Sequence, residues 1–171
     1  MSIETIAVLG AGQMGSGIAQ IAATSGYNVI IRDIKQEFCD KGVNGIKAGL
    51  DKQVAKGKTT QEAADAIMAR ISTTVELEGV APADFVIEAA PEILSLKHDT
   101  FVQLGEICKP DAILCTNTSS MSIGEITKDC KNPERCIGMH FFFPVYAMKL
   151  VEMIRSCYTS DATVAAVREV A

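Results

Sequence analysis

Three side chains in the second half of the sequence have the types and spacing of a proton-transfer site: Ser119, His140 and Glu152. Strand alternation predicts that Glu152 shares a face with Leu150 and Ile154, and a carboxylate on an apolar face needs a partner. His140, at the end of a neighbouring predicted strand, suits that role. A carboxylate fixes the tautomer of an imidazole and raises its basicity, as a general base requires. A structural His–Glu pair beside a solvated Ser/Thr turn explains the same pattern, and spacing alone leaves both open.

A glycine-rich loop lies near the N-terminus and consists of Gly10, Ala11, Gly12, Gln13, Met14 and Gly15. It follows a predicted strand and opens a predicted helix, which is the context of a dinucleotide-binding loop. The first glycine permits a tight turn, the second lets the backbone approach a pyrophosphate, and the third allows close helix–strand packing. The helix N-terminus offers N–H groups and a positive dipole end to phosphates. A glycine turn that binds nothing is the alternative.

An acidic residue, Asp33, ends the second predicted strand about 20 residues beyond this loop, where a carboxylate accepts hydrogen bonds from ribose hydroxyls. It would repel a 2′-phosphate, so the sequence favours NAD over NADP. Arg32 weakens this preference because an arginine can bind a 2′-phosphate, and Asp33 could also be a simple turn residue. Ser119 follows another predicted strand, at the sheet edge where ligands bind. Together with His140, these residues predict a dehydrogenase.

Strands and helices alternate along the chain and must position these residues. Apolar runs predict strands at 3–9, 27–31, 71–75, 85–88, 112–116, 136–140 and 148–154. Helical spacing and caps predict helices at 15–25, 37–56, 60–70, 93–108 and 122–127, and from residue 161 onward. The order predicts an α/β fold, a Rossmann-like, doubly wound and mostly parallel sheet. The segment 37–70 is too long for a simple crossover and predicts a projecting helical hairpin.

Composition limits the classes of partner. The 171 residues suffice for one domain, and a net charge of −5 with a pI near 5.1 argues against nucleic acid or an anionic membrane surface. No apolar run approaches the roughly 20 residues of a membrane helix, and the N-terminus lacks the features of a targeting peptide. Six cysteines without C-x-x-C spacing and two histidines predict no metal site. We expect reduced thiols in a cytoplasmic protein, although one disulfide pair stays open.

Several motifs resemble those of the NAD-binding domain of 3-hydroxyacyl-CoA dehydrogenases, and the resemblance covers essentially the whole chain. The motifs are the glycine loop with Ser16-Gly17-Ile18-Ala19, Val86-Ile87-Glu88-Ala89-Ala90-Pro91-Glu92, Leu96-Lys97, Asn117-Thr118-Ser119-Ser120, His140-Phe141-Phe142 and Met148-Lys149-Leu150-Val151-Glu152. The glycine loop occurs in many families, whereas the later motifs are specific to this one. The resemblance implies reversible, NAD-dependent oxidation of a 3-hydroxyacyl-CoA to a 3-oxoacyl-CoA, in fatty-acid or butanoate metabolism.

The resemblance also implies roles for matching residues. His140 would be the general base, Glu152 would orient it, and Ser119 would bind the substrate oxygen on the nicotinamide side. Lys56, near the end of the hairpin, would meet the coenzyme A moiety, and cationic side chains suit phosphates. By default, Lys56 and Lys97 are solvated helix charges. The implied NAD contacts are Gly10, Ala11, Gly12, Gln13, Met14, Gly15, Asp33, Ala90, Glu92, Lys97, Asn117 and Ser119.

Two departures from the family pattern affect the expected activity. Family members usually carry an asparagine where this chain has Phe143, and phenylalanine cannot replace its hydrogen bonds. The predicted last helix reaches Ala171 with its apolar stripe unfinished. We therefore expect that the family's C-terminal helical domain, with its catalytic asparagine and homo-oligomer interface, is absent from this chain. The isolated chain would then bind NAD but turn over poorly.

Two rivals to the family's reaction stay open at this point. One is a non-catalytic nucleotide-binding protein on the same scaffold, which Phe143 supports. The other is a dehydrogenase of a hydroxy acid without coenzyme A. The joint presence of Ser119, His140 and Glu152 favours catalysis, because a protein that only binds a nucleotide needs none of them.

Overall fold

A computed structural model describes residues 2–171 and contains one seven-stranded sheet flanked by helices. The strands are β1 (Thr5–Leu9), β2 (Asn28–Arg32), β3 (Ile71–Thr74), β4 (Phe85–Glu88), β5 (Ile113–Thr116), β6 (Cys136–Phe141) and β7 (Val151–Ile154). The helices are α1 (Gln13–Thr24), α2 (Gln36–Ala55), α3 (Gln61–Ala69), α4 (Leu94–Ile107), α5 (Ile123–Thr127) and α6 (Asp161–Val170). Short 3₁₀ turns cover Leu77–Val80 and Pro133–Arg135.

The strand order is β3-β2-β1-β4-β5-β6-β7, and every neighbouring pair is parallel except β6 with β7. The order reverses between β1 and β4, and ligands of open α/β sheets bind in the crevice at such a switch point. The predicted Rossmann-like, doubly wound fold is confirmed.

Apolar side chains from both faces of the sheet form two cores. One core packs the sheet against α1, α2, α3 and α6, and the other packs it against α4 and α5. All four residues of β4 and of β5 are buried, as expected for central strands of a parallel sheet. The site residues that follow these strands therefore rest on a rigid base.

The predicted hairpin is formed by α2 and α3. Ile46 and Leu50 of α2, with Ala64 and Ile67 of α3, are buried in the core that also contains α1. The connection between the two helices, including Lys56, is exposed. The hairpin thus has a packed inner face and a solvent-exposed tip.

Several predicted boundaries differ from the structure by one to three residues, and two of these differences have a clear local cause. Helix α1 begins at Gln13 rather than at residue 15, since Gly12 already acts as its N-cap. Strand β7 begins at Val151 rather than at residue 148, because a turn precedes it. The backbone N–H groups of Ala147 and Met148 both donate to the Pro144 carbonyl oxygen in that turn.

Candidate active site

The glycine loop connects β1 to α1 at the switch point. Gly10 has φ +100°, and a Cβ there would lie 2.6 Å from the carbonyl oxygen of Ala89, which follows β4. A Cβ on Gly15 would overlap the carbonyl oxygen of Gly10. A Cβ on Gly12 would meet nothing within 4 Å. The first and third glycines are therefore required by packing, while the second leaves open space at the start of α1.

The first turn of α1 is suited to an anion. Gly12 supplies no side-chain cap, and within residues 2–171 the first turn of this helix contains no acidic residue. Helix N-terminal N–H groups and the dipole attract phosphate at such a position. An open, uncapped helix start beside a glycine turn fits the pyrophosphate of a dinucleotide.

Asp33 lies directly after β2 and is tied to the glycine loop. Its Oδ2 accepts from the Ala11 N–H at 2.7 Å, and its Oδ1 accepts from the Ile34 N–H at 2.7 Å. A carboxylate has about four lone-pair sites, so capacity remains for ribose hydroxyls. Arg32 donates from Nε to the Val75 carbonyl oxygen at 3.2 Å, which directs part of this side chain toward the end of β3.

His140 and Glu152 face each other across β6 and β7. They are directly opposed in the antiparallel register, and His140 Nδ1 lies 2.8 Å from Glu152 Oε2. The Phe142 ring packs against the imidazole, with 4.5 Å between ring centroids. The predicted pair is present, and its imidazole is held from two sides.

The environment of Glu152 differs from the sequence prediction. Leu150 is 52% exposed and Ile154 is also exposed, while Val151 and Met153 face the core. The face of β7 that carries Glu152 is therefore a solvent-facing apolar surface in the described residues. The shared face is confirmed, but the desolvation from which the need for a partner was argued is incomplete, because the Glu152 side chain is 51% exposed. Strand alternation was correct, but β7 is an edge strand whose outer face is uncovered by residues 2–171.

Ser119 reaches the same edge of the sheet as His140. It lies in the loop after β5, which is the parallel neighbour of β6, and it is exposed. Asn117, in the same loop, accepts from the Phe141 N–H through Oδ1 at 2.8 Å. This bond joins the serine loop to the end of β6.

Lys97, Glu92 and Ala90 come together at the start of α4. Lys97 Nζ lies 3.1 Å from Glu92 Oε1 and 3.1 Å from the Ala90 carbonyl oxygen. The Lys97 side chain is fully buried, so its default interpretation as a solvated charge is wrong. The physical reason is a second carboxylate, Glu88, which lies 2.8 Å from Lys97 Nζ and is also fully buried.

Sequence reasoning gave Glu88 no role. It ends the otherwise apolar strand Phe85–Glu88, and an acidic residue at that place was the available signal. Thr116 and Thr118, which also contact this acidic cluster, were missed as well. Their signal is weaker, because threonine is common at strand ends.

Two other singled-out residues lie apart from these contacts. Lys56 is the exposed C-cap of α2, and its backbone N–H donates to the Lys52 carbonyl oxygen. Phe143 is exposed in the segment between β6 and β7. Neither structural position assigns a function by itself.

The structure also bears on the cysteines, possible metal ligands and possible membrane-spanning helices. All six cysteines are free, and Cys130 Sγ lies 3.7 Å from Cys136 Sγ. Across residues 2–171, no group of His, Cys, Asp and Glu side chains is arranged to hold a metal. None of the helices in that part of the chain is both long and apolar enough to cross a bilayer.

The fold and the site place this chain in the class of Rossmann-fold dehydrogenase domains. The features of that class present here are the dinucleotide-type glycine loop, the carboxylate after β2 and the His–Glu pair at the carboxyl ends of the strands. The family model described as 3-hydroxyacyl-CoA dehydrogenase, NAD binding domain, matches residues 5–171. The chain belongs to this family, and its cofactor is NAD.

Individual relatives agree with the family assignment. A probable 3-hydroxybutyryl-CoA dehydrogenase of Deinococcus radiodurans is 48% identical over 96% of this chain and 59% of that protein. The 3-hydroxyadipyl-CoA dehydrogenase of Escherichia coli is 43% identical over 96% of this chain and 34% of that protein. The crystal structure of 3-hydroxybutyryl-CoA dehydrogenase from Escherichia coli K12 matches with a TM-score of 0.97 and 42% identity, covering 99% of this chain and 36% of that one. The chain thus spans well under two thirds of each of these proteins.

Proposed function

We propose that the protein is an NAD-dependent 3-hydroxyacyl-CoA dehydrogenase, which interconverts a 3-hydroxyacyl-CoA and a 3-oxoacyl-CoA in fatty-acid metabolism. The observation that carries the proposal is the 2.8 Å contact between His140 Nδ1 and Glu152 Oε2 at the carboxyl edge of the sheet. The activities for which the relatives are named support the substrate class. A nucleotide-binding protein without chemistry would need no such pair.

His140 is the proposed general base. An ionised Glu152 can only accept a hydrogen bond, so Nδ1 must donate to it, and Nε2 is then free to take a proton. In oxidation, Nε2 receives the proton of the substrate 3-hydroxyl group. In reduction, the imidazolium returns that proton to the forming alkoxide. Glu152 stabilises the imidazolium, and the Phe142 ring limits its rotation.

Ser119 is proposed to donate a hydrogen bond to the substrate oxygen. Its loop is joined to β6 by the Asn117–Phe141 bond, so the hydroxyl and the imidazole share one rigid edge. NAD, when bound, supplies the hydride acceptor. The protein holds it through the glycine loop, with Gly10 and Gly15 shaping the turn and Ala11, Gly12, Gln13 and Met14 opening α1 to the phosphates.

The two ends of the cofactor are proposed to lie on opposite sides of the switch point. Asp33, after β2, would bind the adenosine ribose. Ala90, Glu92, Asn117 and Ser119, after β4 and β5, would surround the nicotinamide half, and the buried Lys97 would contribute to this site through its contact with Glu92. Lys56 at the exposed hairpin tip would meet the phosphates of coenzyme A.

The complete protein is proposed to cover the apolar face that carries Glu152. Leu150 and Ile154 are exposed on the same face of β7 as Glu152, and contiguous exposed apolar patches mark interfaces. The relatives are longer than this chain. Residues equivalent to their additional segments would form the second wall of the cleft and a homo-oligomer interface. The six free thiols support a cytoplasmic location.

The test is NADH oxidation with acetoacetyl-CoA, measured on the complete gene product. His140→Gln should lower kcat by about 10²- to 10⁴-fold, the usual contribution of general acid–base catalysis. His98→Gln is the matched control, because His98 lies on α4 and bonds to Asp99 and Asp129 instead. It should keep the activity of the unmodified protein.

Each alternative outcome has a distinct meaning. Equal activity in His140→Gln and His98→Gln would remove the general base from the proposal. NADH binding without turnover of acetoacetyl-CoA would favour the non-catalytic nucleotide-binding protein. Turnover of a free 3-hydroxy acid, with no response to acetoacetyl-CoA, would favour the dehydrogenase of a substrate without coenzyme A.

A further inference from the structure

A buried charge network lies under the candidate nicotinamide site. Glu88 and Lys97 are both fully buried, and Lys97 Nζ lies 2.8 and 3.0 Å from the two Glu88 oxygens. Glu88 also accepts from the Ala90 N–H at 2.6 Å and from Thr116 Oγ1 at 2.7 Å. Four hydrogen bonds from three elements therefore fix this carboxylate in one orientation.

Lys97 has no hydrogen-bond donor left for a ligand. Its three protons are matched by Glu88, by the Ala90 carbonyl oxygen and by Glu92 Oε1, and its side chain has no exposed surface. The Glu92 side chain is 48% exposed. Lys97 therefore acts on a bound molecule through Glu92, and a direct contact would require one of the present bonds to break.

Glu92 is held from its other side by the serine loop. Thr118 Oγ1 donates to Glu92 Oε2 at 2.5 Å, and the same hydroxyl accepts from the Met121 N–H at 3.2 Å. Thr118 is only 2% exposed and immediately precedes Ser119. One carboxylate thus joins the start of α4 to the loop that carries the proposed substrate-binding serine.

We propose that Thr118 and Glu88 are positioning residues of the dehydrogenase, an inference that rests on the function proposed above. Glu88 fixes Lys97, and Lys97 and Thr118 together fix the Glu92 carboxylate. Thr118 thereby sets the serine loop relative to the cofactor-binding edge. Neither residue touches the reacting atoms, so each acts through a neighbour.

Packing alone does not account for this network. A buried ion pair contributes little net stability compared with apolar residues of the same volume, so folding would be served as well by a hydrophobic pair. The hydrogen-bonded network ends at the half-exposed Glu92 carboxylate at the ligand-binding edge of the sheet. Through Thr118 it connects this carboxylate to the loop that carries Ser119. Orientation of the site is the property that such an arrangement supplies.

The experiment compares three threonine variants in the complete protein. Thr118→Val keeps the shape of the side chain and removes its hydroxyl, whereas Thr118→Ser keeps the hydroxyl. Thr127→Val is the matched control, because Thr127 is fully buried and its hydroxyl bonds within α5 to the Ile123 carbonyl oxygen. The measurements are kcat and KM for acetoacetyl-CoA, the dissociation constant of NADH, and Tm.

Thr118→Val should lower kcat by about tenfold to a hundredfold, the effect of a small misplacement of a site group, while KM for acetoacetyl-CoA changes by less than about threefold. Thr118→Ser should restore kcat to within about threefold of the unmodified protein, and Thr127→Val should leave it unchanged. A purely structural role would lower Tm in both valine variants without separating their kcat values.

Equal kcat in Thr118→Val and Thr127→Val would overturn the inference while leaving the proposed dehydrogenase intact. A loss in Thr118→Ser as large as that in Thr118→Val would also overturn it, because the hydroxyl would then not be the relevant group. An unmodified protein that does not turn over acetoacetyl-CoA would instead refute the function on which the inference rests, and the inference with it.

Discussion

Removing one member of the buried ion pair should destabilise the protein far more than removing both. Lys97→Met deletes the cation and leaves the Glu88 carboxylate fully buried with two remaining hydrogen-bond donors, the Ala90 N–H and the Thr116 hydroxyl. Breaking a buried pair in this way costs about 3–5 kcal/mol. For a cooperative unit of this size, where each kcal/mol shifts Tm by about 2–4 °C, the expected fall is roughly 6–20 °C.

The double variant Glu88→Gln/Lys97→Met removes both charges and is the control. The amide oxygen of the introduced glutamine can still accept a hydrogen bond from the Ala90 N–H. The former Lys97 partners at Glu92 and Ala90 can form hydrogen bonds with water instead, because both residues are partly exposed. The free energy of unfolding of the double variant should therefore recover to within about 2 kcal/mol of that of the unmodified protein. Thermal unfolding followed by circular dichroism measures both. A single variant that melts within 3 °C of the unmodified protein, a margin of about 1 kcal/mol, would refute the assignment of a desolvated charge pair.

Further predictions concern the glycine loop and Asp84, an acidic residue that directly precedes β4. Gly12→Ala should keep Tm but weaken NADH binding by about tenfold, because its Cβ enters open space at the start of α1; Gly15→Ala should lose about 1–3 kcal/mol of stability by overpacking. Burial tends to raise the pKa of Asp84, but hydrogen bonds from Lys109 and two backbone N–H groups outweigh it and hold the pKa below its ordinary value. Asp84 therefore stabilises the fold above about pH 4, and this contribution is lost as pH falls through the lowered pKa. Asp84→Asn should therefore reduce the loss of unfolding free energy below about pH 4, which urea denaturation at a series of pH values measures.

The glycine loop and the His–Glu pair could be predicted because their information is local. Gly10 and Gly15 lie within one turn and one helix start, so their spacing already specifies the packing that the structure contains. His140 and Glu152 lie on consecutive strands, and the connection 142–150 is shorter than the dozen or more residues that a parallel crossover needs. This length favours an antiparallel pairing, and the structure shows the register that sets the two side chains opposite each other.

The exposed face of β7 could not be predicted from the same pattern. Alternation states which residues share a face, but it does not state what covers that face. Leu150 and Ile154 carry the apolar character of an interior strand, although residues 2–171 leave them at the surface. The hydrophobic pattern therefore predicted correctly which residues share a face with Glu152, but it did not predict that this face is exposed to solvent.

Helix α4 explains why the network around Lys97 was missed. Helical periodicity predicts an inner stripe of Leu94, Phe101, Leu104 and Ile107. Phe101 and Leu104 are buried and Ile107 packs against the core, but Leu94 is exposed and Lys97 is buried. No pattern of hydrophobicity predicts a lysine in the core, because its burial depends on Glu88, a residue of another element. Pairing between elements is a tertiary property, and it becomes visible only when β4 and α4 are packed together.

The location of this network relative to the switch point connects the fold to the proposed chemistry. Asp33 and the start of α1 lie on the β1–β2 side of the reversal. On the other side, Glu88 ends β4, Thr118 follows β5 and His140 lies near the end of β6. A dinucleotide lying across the reversal, as proposed, would meet backbone and the Asp33 carboxylate on one side. On the other side it would meet side chains whose orientations are fixed by buried hydrogen bonds. Since hydride transfer depends on orientation far more than ribose binding does, the rigid half of the edge is the half where the reaction would occur.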